Sequence, residues 1–415
     1  MKTIVLDDDP TGTQSATAVS ALFDTDAELL TRALRTADSV YVQTNSRALT
    51  EGQAVALVER IKNDGEAAAA NLNDEVRFVL RGDSTLRGHV FAESAVFLDD
   101  DAVLLFVPAF PEGGRTTRGG VHYVRVGDGD LPAHETEYAQ DPVFGFSTGV
   151  LVDYVAQKSG RPCVPVSLER VRGGDLVQIL AEVPAGTVVA PDVVSAGDVT
   201  AVARAVNAST RPVVVRCAAP LAAELAGVAS RGLLPTPLVD RPVRALLVCG
   251  SHTLGASRQL APIERTWGAP ALVDTATALD DPTTAGLRAA DSVRETFAGS
   301  ALAVLATERH RSREHNTLAH GERIMTALTT AVASLLPDVD VVVAKGGITS
   351  AEVARTGIGA TSALVLGQIL PGVSLWQLAD RHGREVLYAV VPGNVGGPDT
   401  LTRVLDAFNI RLSAE

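Results

Sequence analysis

Aromatic residues are scarce in this 415-residue sequence, at 4% against a hydrophobic total of 46%. Its cores must rest on Val, Leu and Ala. Cysteine is scarcer still. Cys163, Cys217 and Cys249 are far apart, match no CxxC spacing and are odd in number, which does not suggest a disulfide framework, and small buried hydrophobes in a reduced compartment are expected. Long apolar runs are missing. Val103 to Phe110 is too short to span a bilayer, and the apolar core of MKTIVLDDD is too short for a signal peptide. The expectation is a soluble cytoplasmic protein. An excess of basic residues is missing too. The formal charge of −13 argues against nucleic acid and anionic membranes as partners, while a few local arginines still suffice for a small anion. Length and apolar content allow two domains, and 36 Gly with 21 Pro indicate a loop-rich fold. The oligomeric state is open, with a homo-oligomer as one option.

Several signatures are absent. There is no GxxxxGK[ST] and no GxGxxG after an early strand, so neither a P-loop nor a dinucleotide fingerprint is present. His310, His315 and His320 are spaced by five, off any single helix face, and no Cys or carboxylate pattern completes a metal site.

What is present is a repeated local pattern. Thr3–Leu6, Val40–Gln43, Val76–Leu80 and Val103–Val107 read as strands that each end in a polar or glycine-bearing loop. Helical spacing intervenes, as in Glu51–Lys62. Thr187–Ala190 and Pro212–Arg216 extend the series, and Gly120 to Asp130 reads as a hairpin or irregular excursion. Three prolines between Pro235 and Pro242 mark the linker. A second series follows: strands at Ala245–Val248, Ala271–Val273, Ala301–Leu305, Val341–Val343 and Leu387–Val391, with helices at Ala256–Arg265, Glu322–Leu336 and Leu401–Ala407. This predicts an α/β chain of two domains, 1–234 and 243–415. Each is a largely parallel sheet flanked by helices, with ligands at the carboxyl ends of the strands.

Three constellations carry chemistry. In the second half, Gly250-Ser251, Gly346-Gly347 and Gly393 to Gly397 each follow a strand, and together they suit a polyanion. Thr349 and Ser350 are expected to cap a helix starting near Ala351. Lys345 either faces that ligand or simply ends its strand. In the first half, Asp7, Asp8 and Asp9 close the first strand. They read as a Mg²⁺ ligand, an acceptor for sugar hydroxyls, or a general base. The loop Arg81-Gly-Asp-Ser-Thr-Leu-Arg87-Gly alternates cations, hydroxyls and a carboxylate, which suits an acidic polyol. Arg115, after Gly113-Gly114, extends the same anion site.

Taken in order, DDDPTG (7–12), RGDSTLRG (81–88), PAFPEGGRTT (108–117), DPVFG (141–145), KGGITS (345–350) and PGNVGGPDTL (392–401) resemble the four-carbon acid sugar kinase family. The likeness runs from the first strand to the last helix. Asp7 and Pro10 depart from the usual first motif, where alanine and an apolar residue stand, and Arg81 stands where lysine is commoner. The resemblance implies an ATP-dependent, Mg²⁺-assisted kinase for threonate, erythronate or an oxo-tetronate. It implies an N-terminal domain for the acid sugar, a C-terminal domain for the nucleotide, and an active site in the cleft between them. On that reading Arg81, Arg87 and Arg115 hold the substrate carboxylate and Asp83, Ser84 and Thr85 lie near its hydroxyls. Asp8 or Asp9 orients or deprotonates the attacking hydroxyl. Ser251, Gly346, Gly347, Thr349, Gly393, Asn394 and Gly396 cradle the ATP phosphates. Two alternatives stand beside it: a nicotinamide-dependent hydroxyacid dehydrogenase and a non-catalytic sugar-acid-binding protein.

Overall fold

The computed structural model describes residues 1–309, 318–393 and 395–411. These form two compact units, Met1–Ser230 and Arg231–Glu415.

The first unit holds an eight-stranded sheet and a small antiparallel one. Its strands are β1 (Lys2–Asp7), β2 (Val19–Leu22), β3 (Ser39–Gln43), β4 (Val76–Arg81), β5 (Val103–Val107), β6 (Arg115–Arg118), β7 (Val121–Val126), β8 (Gly129–Pro132), β9 (Cys163–Val166), β10 (Val188–Pro191) and β11 (Val213–Cys217). The large sheet runs β2-β3-β1-β4-β11-β5-β10-β9, with every pairing parallel. The chain leaves β1 toward β3 and later returns to pair β4 on its other side. That reversal opens a crevice at the carboxyl ends of these strands, where α/β sheets bind ligands. Gly120 to Asp130, expected to be a hairpin or irregular excursion, forms the β7-β8 pairing of the β6-β7-β8 sheet.

Helix Glu51–Leu72 runs ten residues beyond the spacing-based reading. Asn63-Asp64-Gly65 looks like a stop signal in sequence. Gly65 instead lets the helix press onto the sheet, since a Cβ there would lie 2.7 Å from the Phe78 ring and 2.8 Å from Ile4. A capping box between Thr50 and Gln53 starts the helix, and Asn73 in the left-handed region ends it. Ile4, Leu6, Val40, Val42, Leu80 and Leu104 pack with helix residues Leu30, Leu34, Val58 and Ile61 as the core.

The second unit contains β12 (Ala245–Cys249), β13 (Ala271–Val273), β14 (Leu302–Thr307), β15 (Val341–Lys345), β16 (Ser362–Leu370), β17 (Val373–Ala379) and β18 (Glu385–Val391). Their order is β13-β14-β12-β15-β18-β17-β16. Pairings from β13 to β18 are parallel, and β17 runs antiparallel to both β18 and β16. Here the reversal lies at β12, between β14 and β15. β12 and β15, apolar except for the terminal Lys345 of β15, are buried on both faces, as parallel strands require. Among the described residues, no helix is long and apolar enough to cross a membrane.

Candidate functional site

In the first unit the site is built on the ends of β1, β3, β4 and β11. β1 delivers Asp7, Asp8 and Asp9 into a short 3-10 helix, Pro10–Ser15. Asp9 caps that helix, its Oδ1 accepting from Thr11 N at 2.7 Å. Gly12 is obligatory, because a Cβ would fall 2.0 Å from Asp7 Oδ1. Asp7 points inward and has no solvent exposure. It accepts from Gln43 Nε2 and Arg81 Nη1, each at 3.0 Å. Burial, and to a lesser degree the adjacent Asp8, push its pKa up to about 7 against the pull of Arg81.

Arg81 is equally buried. Its Nη1 also lies 3.2 Å from Asp8 Oδ1 and donates to the Asp9 carbonyl at 3.1 Å, while Nη2 donates to Thr11 Oγ1 at 3.4 Å. Burial opposes its charge, but Asp7, Asp8 and Asp83 outweigh that and hold its pKa above the ordinary value. Arg81 was expected to grip a substrate carboxylate; its side chain is 2% exposed and enclosed by these acceptors, at the floor of the site.

The loop 81–88 stands over this floor. Thr85 Oγ1 donates to Asp83 Oδ2, and Arg87 Nε donates to the same oxygen at 2.8 Å. Burial works against ionisation of Asp83, yet Arg87, Arg47 and the Thr85 hydroxyl hold its pKa far below the usual carboxylate range. Leu86 adopts a left-handed φ of 67°, costly for a bulky side chain. The Tyr154 hydroxyl secures that turn, donating to Leu86 O at 2.7 Å. Arg87 reaches toward Asp141 at 3.7 Å and lies 5.0 Å above the Tyr138 ring. The DPVFG loop is thereby drawn to the site. His122 Nε2 donates to Ser84 O at 2.8 Å, which leaves Nδ1 to accept from Thr117 Oγ1 at 3.0 Å. Burial lowers the His122 pKa to about 4, so it is neutral at physiological pH. Arg115 is buried and donates to Gly113 O at 2.5 Å, with burial lowering its pKa.

The structure therefore brings Asp8, Asp9, Arg81, Asp83, Thr85 and Arg87 together. It also adds residues that sequence reasoning missed. Arg47, on the turn after β3, pairs with Asp9 and lies 3.7 Å from both Asp8 and Asp83. Its side chain is 15% exposed and Arg87's 22%, which makes these two the accessible cations of the group. Arg216, near the end of β11, lies 3.4 Å from Asp8 and pairs with Glu93. Gly82 exists to admit it, since a Cβ would sit 2.6 Å from Arg216 Nε. The available signal was position: both arginines stand at or just beyond the carboxyl end of a strand.

In the second unit the three glycine turns do meet. They follow β12, β15 and β18, which are adjacent strands. A Cβ on Gly250 would lie 2.5 Å from Thr349 Oγ1, one on Gly346 3.0 Å from Ser251 Cβ, and one on Gly393 3.4 Å from Ser251 Oγ. Gly346 has φ 110°, open only to glycine at low cost. Ser251 Oγ bonds Thr253 Oγ1 at 3.2 Å, and Thr253 Oγ1 donates to Gly393 O at 3.4 Å. Gly396, with φ 86°, folds against Thr400. Asn394 lies outside the described residues.

The expected helix cap is different. The helix is Gly347–Glu352 and Gly346 stands at its N-cap, so Thr349 and Ser350 lie inside it. Ser350 Oγ donates back to Gly346 O at 2.8 Å and to Ala344 O at 3.3 Å. Its hydroxyl satisfies strand and turn carbonyls, and the glycine turn starts the helix early.

Among the described residues, the first unit's carboxylates are not arranged as a cation cage. Among the described residues, no group of three or more His, Cys, Asp or Glu could hold a metal ion. Guanidinium groups occupy the space between the first unit's carboxylates. His310 and His315 lie outside the described residues.

Residues 3–225 match a family described as "Sugar-binding N-terminal domain", and residues 246–401 one described as "Nucleotide-binding C-terminal domain". The chain is 30% identical over 391 residues to a D-threonate kinase of Bordetella bronchiseptica, covering 91% of this chain and 88% of that one. It is 28% identical over 399 residues to a 3-oxo-tetronate kinase of Methylobacterium radiotolerans, covering 90% of each. A D-erythronate kinase of Heliobacterium modesticaldum is 31% identical over 241 residues, 56% of this chain and 53% of that one. In fold, the chain is similar to a crystal structure of a Haemophilus influenzae protein, with a TM-score of 0.63 at 18% identity over 98% of this chain and all of that one.

Proposed function

The chain belongs to the four-carbon acid sugar kinase family and is a sugar acid kinase, and we propose that it transfers the γ-phosphoryl group of ATP to a hydroxyl of threonate, erythronate or an oxo-tetronate. The observation that carries this reading is the pairing of two unlike sites. The first unit has carboxylates and arginines interleaved at strand ends, which suits an acidic polyol. The second has three adjoining glycine turns, where a Cβ on Gly250 or Gly346 would crowd Thr349 or Ser251, which suits phosphate approached by backbone. This division assigns the acid sugar to a domain spanning 1–234 and the nucleotide to one spanning 243–415.

Arg87 and Arg47, with Arg115 behind them, bind the substrate carboxylate. Asp83, Ser84 and Thr85 recognise its hydroxyls. Asp8 or Asp9 orients the attacking hydroxyl and accepts its proton. The hydroxyl oxygen forms the new bond to phosphorus, the bond from γ-phosphorus to the β-bridging oxygen breaks, and ADP departs. Ser251, Gly346, Gly347, Thr349, Gly393 and Gly396 hold the phosphates through N–H and hydroxyl donors. Mg²⁺, which neutralises phosphate charge in such reactions, fits no carboxylate cage here and would be held chiefly by ATP and water. The chain's own contribution is positioning and charge placement.

The test is ADP release, followed by a coupled assay, across a panel of four-carbon acids in both stereochemical series. One or more acids supporting turnover is the expected result. Absence of ADP release with every four-carbon acid overturns the proposal and favours a binding protein.

A further inference from the structure

Asp7 is the carboxyl of the cluster that the proposed reaction does not use. It lies in a cross-strand row. Gln43 on β3 is its register partner on one side and Arg81 on β4 on the other, with Cys217 on β11 next to Arg81. The row is bonded through side chains: Gln43 Nε2 to Asp7 Oδ2, and Arg81 Nη1 to Asp7 Oδ1. Gly12 closes over Asp7 so tightly that no side chain fits between them. Arg81 Nη1 carries two protons and faces three acceptors, on Asp7, Asp8 and the Asp9 backbone. What Asp7 takes from this nitrogen is therefore withheld from the other two.

We infer that Asp7 is a positioning residue for phosphoryl transfer: anchored by Gln43, it fixes the Arg81 guanidinium beneath Asp8 and the Asp9 carbonyl and so sets the geometry of the acceptor site. The inference rests on the reading of the first unit as that site. The groups facing Asp7 are Arg81 from β4, Tyr41 and Gln43 from β3, Cys217 from β11 and Asp8 on its own segment. An ionised Asp7 grips Arg81 hardest. Protonation, centred near pH 7, loosens that grip.

The experiment compares wild type, Asp7→Asn and Gln43→Met in steady-state kinetics from pH 5.5 to 9 with ATP and the preferred acid. Wild-type kcat is expected to fall toward acid through an inflection near pH 7. Asp7→Asn is expected to lose that inflection and to have a kcat on the order of tenfold lower at pH 8.5, with the KM for ATP within about twofold. Gln43→Met removes a donor to the ionised carboxylate, so its inflection moves to higher pH. This variant also carries the test if Asp7→Asn does not fold. A wild-type pH profile in both variants reduces Asp7 to a structural acid and overturns the inference alone. A wild type inactive on every four-carbon acid overturns both the functional reading and this inference.

Discussion

Lys345 Nζ donates to the carbonyl oxygen of Pro392 at 2.5 Å, tying the end of β15 to the exit of β18. The side chain is fully buried, and burial lowers its pKa to about 8. The folded state therefore favours the neutral amine, and folding releases a proton at pH values between 8 and 10.5. Over that window stability rises with pH by up to roughly 3 kcal/mol from this group. Lys345→Met should abolish that rise. Denaturant unfolding of both proteins between pH 7.5 and 10.5 measures it, and parallel pH curves would remove the assignment. The same variant should raise the KM for ATP, because the turn bearing Gly393 loses its anchor.

Gly346→Ala tests the phosphate cradle. The new Cβ would sit 3.0 Å from Ser251 Cβ on a backbone with φ 110°. Strain of about 1–3 kcal/mol is expected. The KM for ATP should rise at least tenfold while affinity for the acid sugar stays near wild type. Isothermal titration with each ligand separates the two. Equal weakening of both would contradict a dedicated nucleotide site.

Arg47→Ala removes a partly exposed guanidinium that faces Asp8, Asp9 and Asp83. The KM for the acid should rise by an order of magnitude or more, a loss of about 1.4 kcal/mol or greater. The KM for ATP should change little. Arg47→Lys should recover only part of the loss, since lysine lacks the planar fork.

Asp9→Asn keeps the cap on Thr11 but removes the charge opposite Arg47. Turnover should fall on the order of 100-fold, with a modest change in ATP affinity. Asp8→Asn is the necessary companion. Near-normal turnover in both variants would exclude these carboxylates from proton transfer.

His122 links β7 to the loop 81–88 and is neutral when folded. Its pKa is lowered from 6.5 to about 4, so the unfolded chain binds the extra proton over that interval. The stability it contributes is present above pH 6.5 and is lost as pH falls toward 4, by roughly 3 kcal/mol. His122→Gln, which can both donate and accept, should flatten this acid limb in thermal melts at pH 4.5 to 7.

Much of the site was legible in the sequence for a local reason. Glycines and acids immediately after a β-branched run mark strand carboxyl ends whatever the fold, so the three turns of the second unit and Asp7 to Asp9 were visible. Arg47 and Arg216 were not singled out. They enter the site only because β3 pairs β1 and β11 pairs β4, and strand order is a long-range property. The inward turn of Arg81 was not legible, since a loop motif does not say which side chain is buried.

By itself, the sequence determined the alternation of strands and helices, the α/β class and the family. Those follow from periodicity, turn chemistry and ordered motifs along the chain. Only the tertiary structure decided the electrostatics. Parallel pairing sets Gln43, Asp7 and Arg81 in one row and excludes water from it. That dehydration turns an ordinary acid into a carboxyl titrating near 7. Burial and register are properties of packed neighbours, and no single segment contains them.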